Sequence, residues 1–262
     1  MLNNVVIGRF INTDSSLHRQ NALSKIISTI IYIIAVFANS NWYLFILLFA
    51  FTILLMLLSN VKLKLYFKSI YSLKILIISV LLINLLCGVT INDSLLSIIR
   101  LVLTVLYTTI LTFTTPSSAL TYGLEKLFKP LKIIGIPVEK LAFSITMAIR
   151  FIPMLLDQAN TILLSMASRG IDYINSGIKG KIKAIKSLMI PLLTNSLRKA
   201  DTLALSMELR LYSFKNKRTN IRIMRWSVYD TFMILLHLVL LLLSIKGDEL
   251  GAIFNNFFLW WI

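Results

Sequence analysis

The stretch WYLFILLFAFTILLMLLS, residues 42–59, carries no charged side chain over eighteen positions. A helix that crosses the hydrocarbon core of a bilayer needs about 20 predominantly apolar residues, or about 17 at the short end. The stretch therefore predicts a transmembrane helix. The whole chain agrees, because 57% of its 262 residues are hydrophobic, only 15% are charged and the mean hydropathy is +0.82. We predict an all-α, polytopic membrane protein.

Further apolar runs lie on both sides of this stretch, at about 26–38, 75–90, 95–113 and 228–245. Together with residues 42–58 they predict about five transmembrane helices. Arg100 falls inside the fourth run, where it must snorkel or face a protein partner. The apolar tail at 250–262 is too short to span a bilayer alone. Its Trp260 and Trp261 favour an anchor at the membrane interface.

The charges predict the orientation. The chain holds 27 Lys and Arg against 11 Asp and Glu, a net charge of +16. The connections alternate: the segment before the first run and residues 61–69 are basic, whereas residues 38–42 and 91–94 contain no Lys or Arg. Because basic loops remain on the cytoplasmic side, we expect a cell-membrane protein with a cytoplasmic N-terminus. The same charges are compatible with contact with anionic lipid or with an acidic partner, whereas no nucleic-acid motif accompanies them.

Residues 116–225 hold 18 basic and 6 acidic residues, which is 18 − 6 = +12 of the total charge. The region is rich in helix-forming residues and interrupted by Pro and Gly, so it predicts several cytoplasmic helices. Three parts follow: a membrane domain of four spans at 1–115, a cytoplasmic helical region at 116–227, and the last span with its short tail at 228–262.

One sequence occurs twice in this region. ANTILLSMASR at 159–169 and ADTLALSMELR at 200–210 are identical at six of eleven positions, and both end on arginine. At 100° per residue each copy is amphipathic, with Leu164 the exception on the polar arc of the first. We expect the helices to begin near Pro153 and Pro191, since proline suits a first turn, and the first to be capped by Gly170.

Three ordinary explanations compete for these matched ends. An arginine in a last turn favours the helix dipole, similar helices arise by chance, and a basic amphipathic helix can lie on a membrane surface. The alternative is a pair of helices that deliver Arg169 and Arg210 to two equivalent sites on a partner with two-fold or approximate two-fold symmetry. Arginine suits such a role because its planar fork donates two hydrogen bonds to a carboxylate.

These endings resemble the transmembrane T component of energy-coupling factor transporters, which are ABC-type uptake systems for vitamins and metal ions. Ser168-Arg169-Gly170 and Leu209-Arg210-Leu211 are similar to the short motifs with a central arginine at the ends of that family's two coupling helices. The supporting matches are Thr114-Thr115-Pro116, Arg150-Phe151-Ile152-Pro153, and Ser16-Leu17-His18-Arg19 with Lys25. Ser168 and Leu209 stand where alanine is common, Leu211 where glycine is common, and Asn21-Ala22-Leu23 departs from the N-terminal signature.

The resemblance implies a subunit with three kinds of partner: two cytosolic ABC ATPases, a membrane-embedded S component that binds the substrate, and the lipid bilayer. It implies that Arg169 and Arg210, with their neighbours Ser168, Gly170, Leu209 and Leu211, form the ATPase-coupling site. Each arginine would enter a groove on one ATPase. Turns near Pro116, Pro153 and Pro191 would act as hinges.

The sequence contains none of the catalytic or cofactor-binding motifs described below, which predicts a chain that is not an enzyme and carries no cofactor. No phosphate-binding Gly-x-x-x-x-Gly-Lys-[Ser/Thr] loop occurs, and GIKGKIK at 177–183 has the wrong spacing. His18, His237 and Cys87 form no metal-ligand pattern. A self-contained secondary transporter or an intramembrane lipid-modifying enzyme stay as alternatives. The first is expected to show inverted hydropathy repeats, and the second ionisable residues clustered within spans.

Overall fold

The computed structural model describes residues 10–259, except Asn12, Ser40, Ile136 and the segments 170–177 and 214–225. Within these residues every regular element is a helix, which confirms the all-α prediction. The elements are α1 (Ser16–Arg19), α2 (Ala22–Ala38), α3 (Trp42–Leu58), α4 (Leu63–Ser72), α5 (Lys74–Leu86), α6 (Ile91–Thr114), α7 (Ser117–Phe128), a 3-10 helix (Lys129–Ile134), α8 (Val138–Ser168), α9 (Ile178–Leu209) and α10 (Val228–Leu259).

The apolar runs predicted as spans coincide with α2, α3, α5, α6 and α10. By length and composition, α6, the Val228–Gly247 part of α10 and the Lys140–Ser168 part of α8 could each cross a membrane. The helices α4 and α5 could together form a fourth span, broken by a bend of 48°. The helices α2 and α3 are apolar but have only 17 residues each.

Two segments at the ends of predicted spans differ from the sequence interpretation. The basic segment 61–69 was predicted to be a loop, whereas the structure continues most of it as helix α4. The apolar tail was predicted to follow the last span separately, whereas α10 continues through it to Leu259. The proposed interfacial anchors Trp260 and Trp261 lie outside the described residues.

The chain forms two compact units. One contains Gly8–Pro130 and Met224–Ile262, and the other contains Leu131–Ile223. The helix α7 therefore belongs with the first unit, although the sequence assigned residues 116–227 to one region. Close packing explains this, since a Cβ on Gly123 of α7 would lie 3.1 Å from the Ala22 carbonyl carbon of α2.

The core of the first unit is formed by α2, α3, α6 and α10 around stacked aromatic side chains. The rings of Tyr32 and Tyr107 stack with centroids 4.1 Å apart, and both are buried. The Tyr107 hydroxyl donates to Nε2 of His237, whose Nδ1–H donates to the Met233 carbonyl. His237 thus lies inside the last predicted span, with both ring nitrogens satisfied by protein groups.

A second polar cluster joins three helix ends in the same unit. Buried Asp230, near the start of α10, accepts hydrogen bonds from the backbone N–H of Asn21 (2.9 Å) and Ser227 (2.8 Å). Lys25 of α2 donates to the Thr114 carbonyl (3.0 Å) and the Thr115 hydroxyl (2.9 Å) at the end of α6. The cluster therefore brings together Lys25 and the Thr114-Thr115-Pro116 motif, which the sequence could only identify separately.

Replacing Asp230 with alanine should destabilise the first unit. Two backbone N–H groups would lose their buried acceptor, and each such loss costs about 1–3 kcal/mol. We expect Asp230→Ala to lower the thermal unfolding midpoint of the detergent-purified chain clearly, and Asp230→Asn to lower it less because one side-chain oxygen remains. Asp93→Ala is the matched control, since Asp93 is exposed in the first turn of α6. An equal drop of the unfolding midpoint in the control would contradict a specific stabilising role for Asp230.

Candidate functional site

The two long helices of the second unit run antiparallel. Lys199 Nζ of α9 donates to Gln158 Oε1 of α8 at 3.5 Å. Farther along, the rings of Phe143 and Tyr212 lie with centroids 5.3 Å apart. The partner of Gln158 is Lys199, and the partner of the earlier residue Phe143 is the later residue Tyr212, just beyond the end of α9. The two helices are therefore antiparallel.

The contact between Gln158 and Lys199, together with the repeat in the sequence, indicates an approximate local two-fold relation in this pair. Gln158 and Lys199 each stand immediately before one copy of the repeat, so they are equivalent positions. In a two-fold pair, only residues at the axis contact their own equivalents. Arg169 and Arg210 each follow this contact by eleven residues, or about 16 Å at roughly 1.5 Å per residue, in opposite directions. The two arginines therefore end opposite arms of one pair.

Burial along α8 agrees with the predicted amphipathic pattern. Ala159 and Met166 of the apolar arc are buried, whereas Asp157, Thr161 and Ser165 of the polar arc are exposed. Leu164, the exception in the sequence pattern, is also exposed. The helix α9 differs, because many of its apolar side chains are exposed; these include Ile190, Leu193, Leu197 and Leu205.

The first predicted site residue, Arg169, is the C-terminal cap residue of α8. The helix ends at Ser168, whose hydroxyl donates to the Leu164 carbonyl at 3.0 Å, and the Arg169 N–H donates to the Met166 carbonyl at 3.1 Å. The Arg169 side chain is exposed. Gly170, predicted to cap this helix, lies outside the described residues.

The second arginine is held in a Schellman turn. After α9 ends at Leu209, the Leu211 N–H donates to the Glu208 carbonyl (2.8 Å) and the Tyr212 N–H to the Met207 carbonyl (2.9 Å). Leu211 adopts a left-handed φ of 54°. Its equivalent after the first copy of the repeat is Gly170, and glycine suits such a position. A leucine there costs roughly 1–2 kcal/mol, so stability of the helix end does not account for it.

Both arginines are available to a partner. Among the residues that the structure describes, no carboxylate forms an ion pair with either guanidinium. Arg210 also has apolar neighbours, because Leu209 is 78% and Leu211 is 90% exposed. Arginine surrounded by apolar contacts is typical of the centre of a protein interface, where the surrounding groups exclude water from a charged hydrogen bond.

The structure corrects the predicted position of two prolines within their helices. Pro153 and Pro191 lie inside α8 and α9 rather than at their first turns. The residues before them already continue the helix, and α8 instead begins directly after Pro137. A proline inside a helix removes one backbone hydrogen bond and produces a kink. Pro116 does precede a helix, since it is the N-cap residue of α7.

The N-terminal signature residue His18 is tied to its own segment. His18 Nε2–H donates to the Ile11 carbonyl (3.0 Å), and Nδ1 accepts from the Ser15 hydroxyl (2.7 Å). Burial lowers the pKa of His18 below its ordinary value, and the hydrogen bond to Ile11 opposes that shift. The Ile11 N–H donates to the Phe113 carbonyl, so the signature is anchored at the end of α6.

These features define a class of protein: an all-helical, multi-pass membrane protein whose second unit contains a pair of long antiparallel helices with approximate two-fold symmetry. A family model described as cobalt transport protein, CbiQ, matches residues 13–221. The energy-coupling factor transporter transmembrane protein EcfT of Listeria innocua is 33% identical over 251 residues, which cover 90% of this chain and 95% of the relative. The EcfT protein of Leuconostoc gelidum is 34% identical over 263 residues, covering 94% and 98%.

The chain belongs to this family of T components, the transmembrane subunits of energy-coupling factor transporters. The alignments span nearly the full length of both relatives, so the resemblance found in the short arginine motifs extends over 90% and 94% of this chain, respectively.

Proposed function

We propose that this chain is the scaffold and coupling subunit of an ABC-type uptake transporter. It holds two cytosolic ATPase subunits through Arg169 and Arg210 and transmits their ATP-driven motion to a substrate-binding S component in the membrane. ATP hydrolysis belongs to the partner subunits. The observation that carries the proposal is the approximate two-fold relation of α8 and α9, with one exposed arginine at the outer end of each.

Two equivalent arginines suit a pair of ATPases because such a pair presents the same groove twice, related by its own two-fold symmetry. A guanidinium that enters a groove donates bidentately to a carboxylate, and the geometry fixes direction as well as position. The two ends are not identical, since Leu211 replaces the glycine found at 170. This difference supports two grooves of related but distinct shape.

The exposed apolar side chains of α9 support the S component as a further partner. Soluble surfaces rarely expose a continuous apolar stripe, and such a stripe marks contact with protein or membrane. Transmission from the arginines would bend α8 and α9 at Pro153 and Pro191, where the backbone hydrogen bonding is interrupted. It would pass from α7 to α6 through the turn at Pro116.

Copurification tests the proposed function. A tagged copy of this chain, extracted from its native membranes in mild detergent, should retain two ATPase subunits and a small membrane protein. The purified assembly should hydrolyse ATP, and the isolated chain should not. Transport of a solute by the chain without any partner would instead support the secondary-transporter alternative. Modification of lipid by the chain without any partner would support the enzyme alternative.

Thiol labelling tests the proposed orientation. In a Cys87→Ser background, a cysteine at Ser206 on α9 should resist a membrane-impermeant thiol reagent in intact cells, whereas one at Asn92 should react. Both positions are exposed, so burial within the chain does not decide the result. Permeabilised cells are the control, because both cysteines should react there. The reverse pattern in intact cells would overturn the orientation.

A further inference from the structure

The outward face of α4 carries lysines and aromatic rings rather than aliphatic side chains. Its inward face is fixed by buried Tyr66, whose hydroxyl bonds the Ser59 hydroxyl at 2.9 Å and whose ring centroid lies 5.3 Å from that of Phe113. The opposite face therefore points away from this core. It presents Lys64 and Lys68 beside the rings of Phe67 and Tyr71, which are 67% and 68% exposed.

This surface continues onto the first residue of α5 and then changes character. Lys74 Nζ donates to the Tyr71 hydroxyl at 3.3 Å and lies 4.6 Å from the centre of its ring. Beyond Lys74 the exposed side chains of α5 are mostly aliphatic; they include Ile75, Leu76, Ile78, Leu81 and Leu82. The change occurs at the bend of 48° between the two helices.

Lysines mixed with aromatic rings are typical of the headgroup level of a bilayer, and exposed aliphatic side chains are typical of the acyl-chain level. The bend thus separates a helix that lies at the interface from one that enters the hydrocarbon. A basic face at the interface is attracted to anionic lipid, and each lysine near the surface adds to the attraction.

The charge of this face has little to neutralise it within the chain. No Asp or Glu occurs between Asp14 and Asp93 in the sequence. Asp14 is the acidic residue that the structure connects to this region, since its backbone carbonyl accepts a hydrogen bond from Asn60 in the turn before α4. Within the described residues, no carboxylate forms an ion pair with Lys64, Lys68 or Lys74.

We propose that this basic-aromatic face, formed by Lys64, Phe67, Lys68, Tyr71 and Lys74, binds the phosphate headgroups of anionic phospholipids. The lysines pair with phosphate, while the rings of Phe67 and Tyr71 lie among the glycerol and upper acyl groups. Lys62, also exposed, extends the positive charge toward the turn before α4. Lipid binding here is independent of the two coupling arginines.

The test reconstitutes the full-length chain in nanodiscs of equal phosphatidylglycerol and phosphatidylcholine. After detergent extraction, the lipids that stay bound are counted by native mass spectrometry. The wild type should retain phosphatidylglycerol preferentially. The triple variant Lys64→Gln/Lys68→Gln/Lys74→Gln should bind it about tenfold or more weakly. The corresponding triple arginine variant should bind it as the wild type does.

A matched control loses the same charge elsewhere in the chain. Lys126→Gln/Lys129→Gln/Lys132→Gln changes three exposed lysines at and beyond the end of α7, one of which, Lys126, also lies over a tyrosine ring. It should keep the preference for phosphatidylglycerol. An equal loss in this control would reduce the effect to net charge and overturn the site. Unchanged retention of phosphatidylglycerol by the α4 variant would equally overturn the site.

Discussion

Replacing both Arg169 and Arg210 with alanine should release the ATPase subunits while the chain still inserts and folds. Both side chains are exposed and, within the described residues, form no ion pair with the chain itself, so their removal costs little in folding. Truncating one partner of a desolvated arginine–carboxylate contact costs about 2–5 kcal/mol, largely because the other charge is left buried and unpaired. Since about 1.4 kcal/mol corresponds to a tenfold change in affinity, even the lower value weakens each contact more than tenfold.

The measurement is the amount of ATPase that copurifies with the tagged chain at equal membrane expression. Each single variant should retain less ATPase than the wild type, and the double variant should retain almost none. Arg198→Ala is the matched control on the same helix, since Arg198 is also an exposed arginine of α9 but lies outside the coupling site. Full copurification by the double variant would show that both arginines are ordinary helix ends.

Much of the fold could be predicted from local pattern. Spans such as α6 are long, apolar and independent of distant residues, so length and hydropathy suffice. The bend between α4 and α5 could not be predicted this way, because lysines at 62, 64 and 68 resemble a loop in a hydropathy profile. The structure shows that α4 is a helix packed by Tyr66 against Phe113, a residue near the far end of α6.

For the candidate site, the sequence identifies candidate residues but not their arrangement. The repeat identified Arg169 and Arg210 as equivalent, yet no periodicity reveals that the helices run antiparallel or that Gln158 meets Lys199. The prolines failed as helix starts because propensity is local, whereas α8 and α9 continue through Pro153 and Pro191. Asp230 belongs to no local pattern in the sequence, since its partner Asn21 is 209 residues away.

The antiparallel course of α8 and α9 decides which positions should be linked in a test of the coupling motion. Ile162 and Leu203 are equivalent positions of the repeat, and each lies four residues beyond the contact between Gln158 and Lys199, in opposite directions. They are therefore separated by about 12 Å along the pair, at roughly 1.5 Å per residue. If one helix rotates against the other, the contact between Gln158 and Lys199, midway between the two arginines, is the expected pivot. A link at the pivot permits rotation of one helix against the other, whereas a link at Phe143 and Tyr212, about 20 Å away, does not.

Linking the ends of the helix pair should abolish ATP-driven uptake. In a Cys87→Ser background, cysteines at Phe143 and Tyr212 would be joined by a short bifunctional thiol reagent, and cysteines at Gln158 and Lys199 would be joined in a matched variant. If ATP changes the separation of the two ATPases, the arms that end in Arg169 and Arg210 must rotate or shear as rigid bodies. We expect the linked Phe143–Tyr212 complex to keep its ATPases and lose most of its uptake. The complex linked at the pivot should keep both its ATPases and its uptake. Each unlinked variant supplies the baseline for its own substitutions.

Normal uptake by a complex with a verified Phe143–Tyr212 link would mean that relative motion of α8 and α9 is not the transmission step. The two arginines would then only anchor the ATPases.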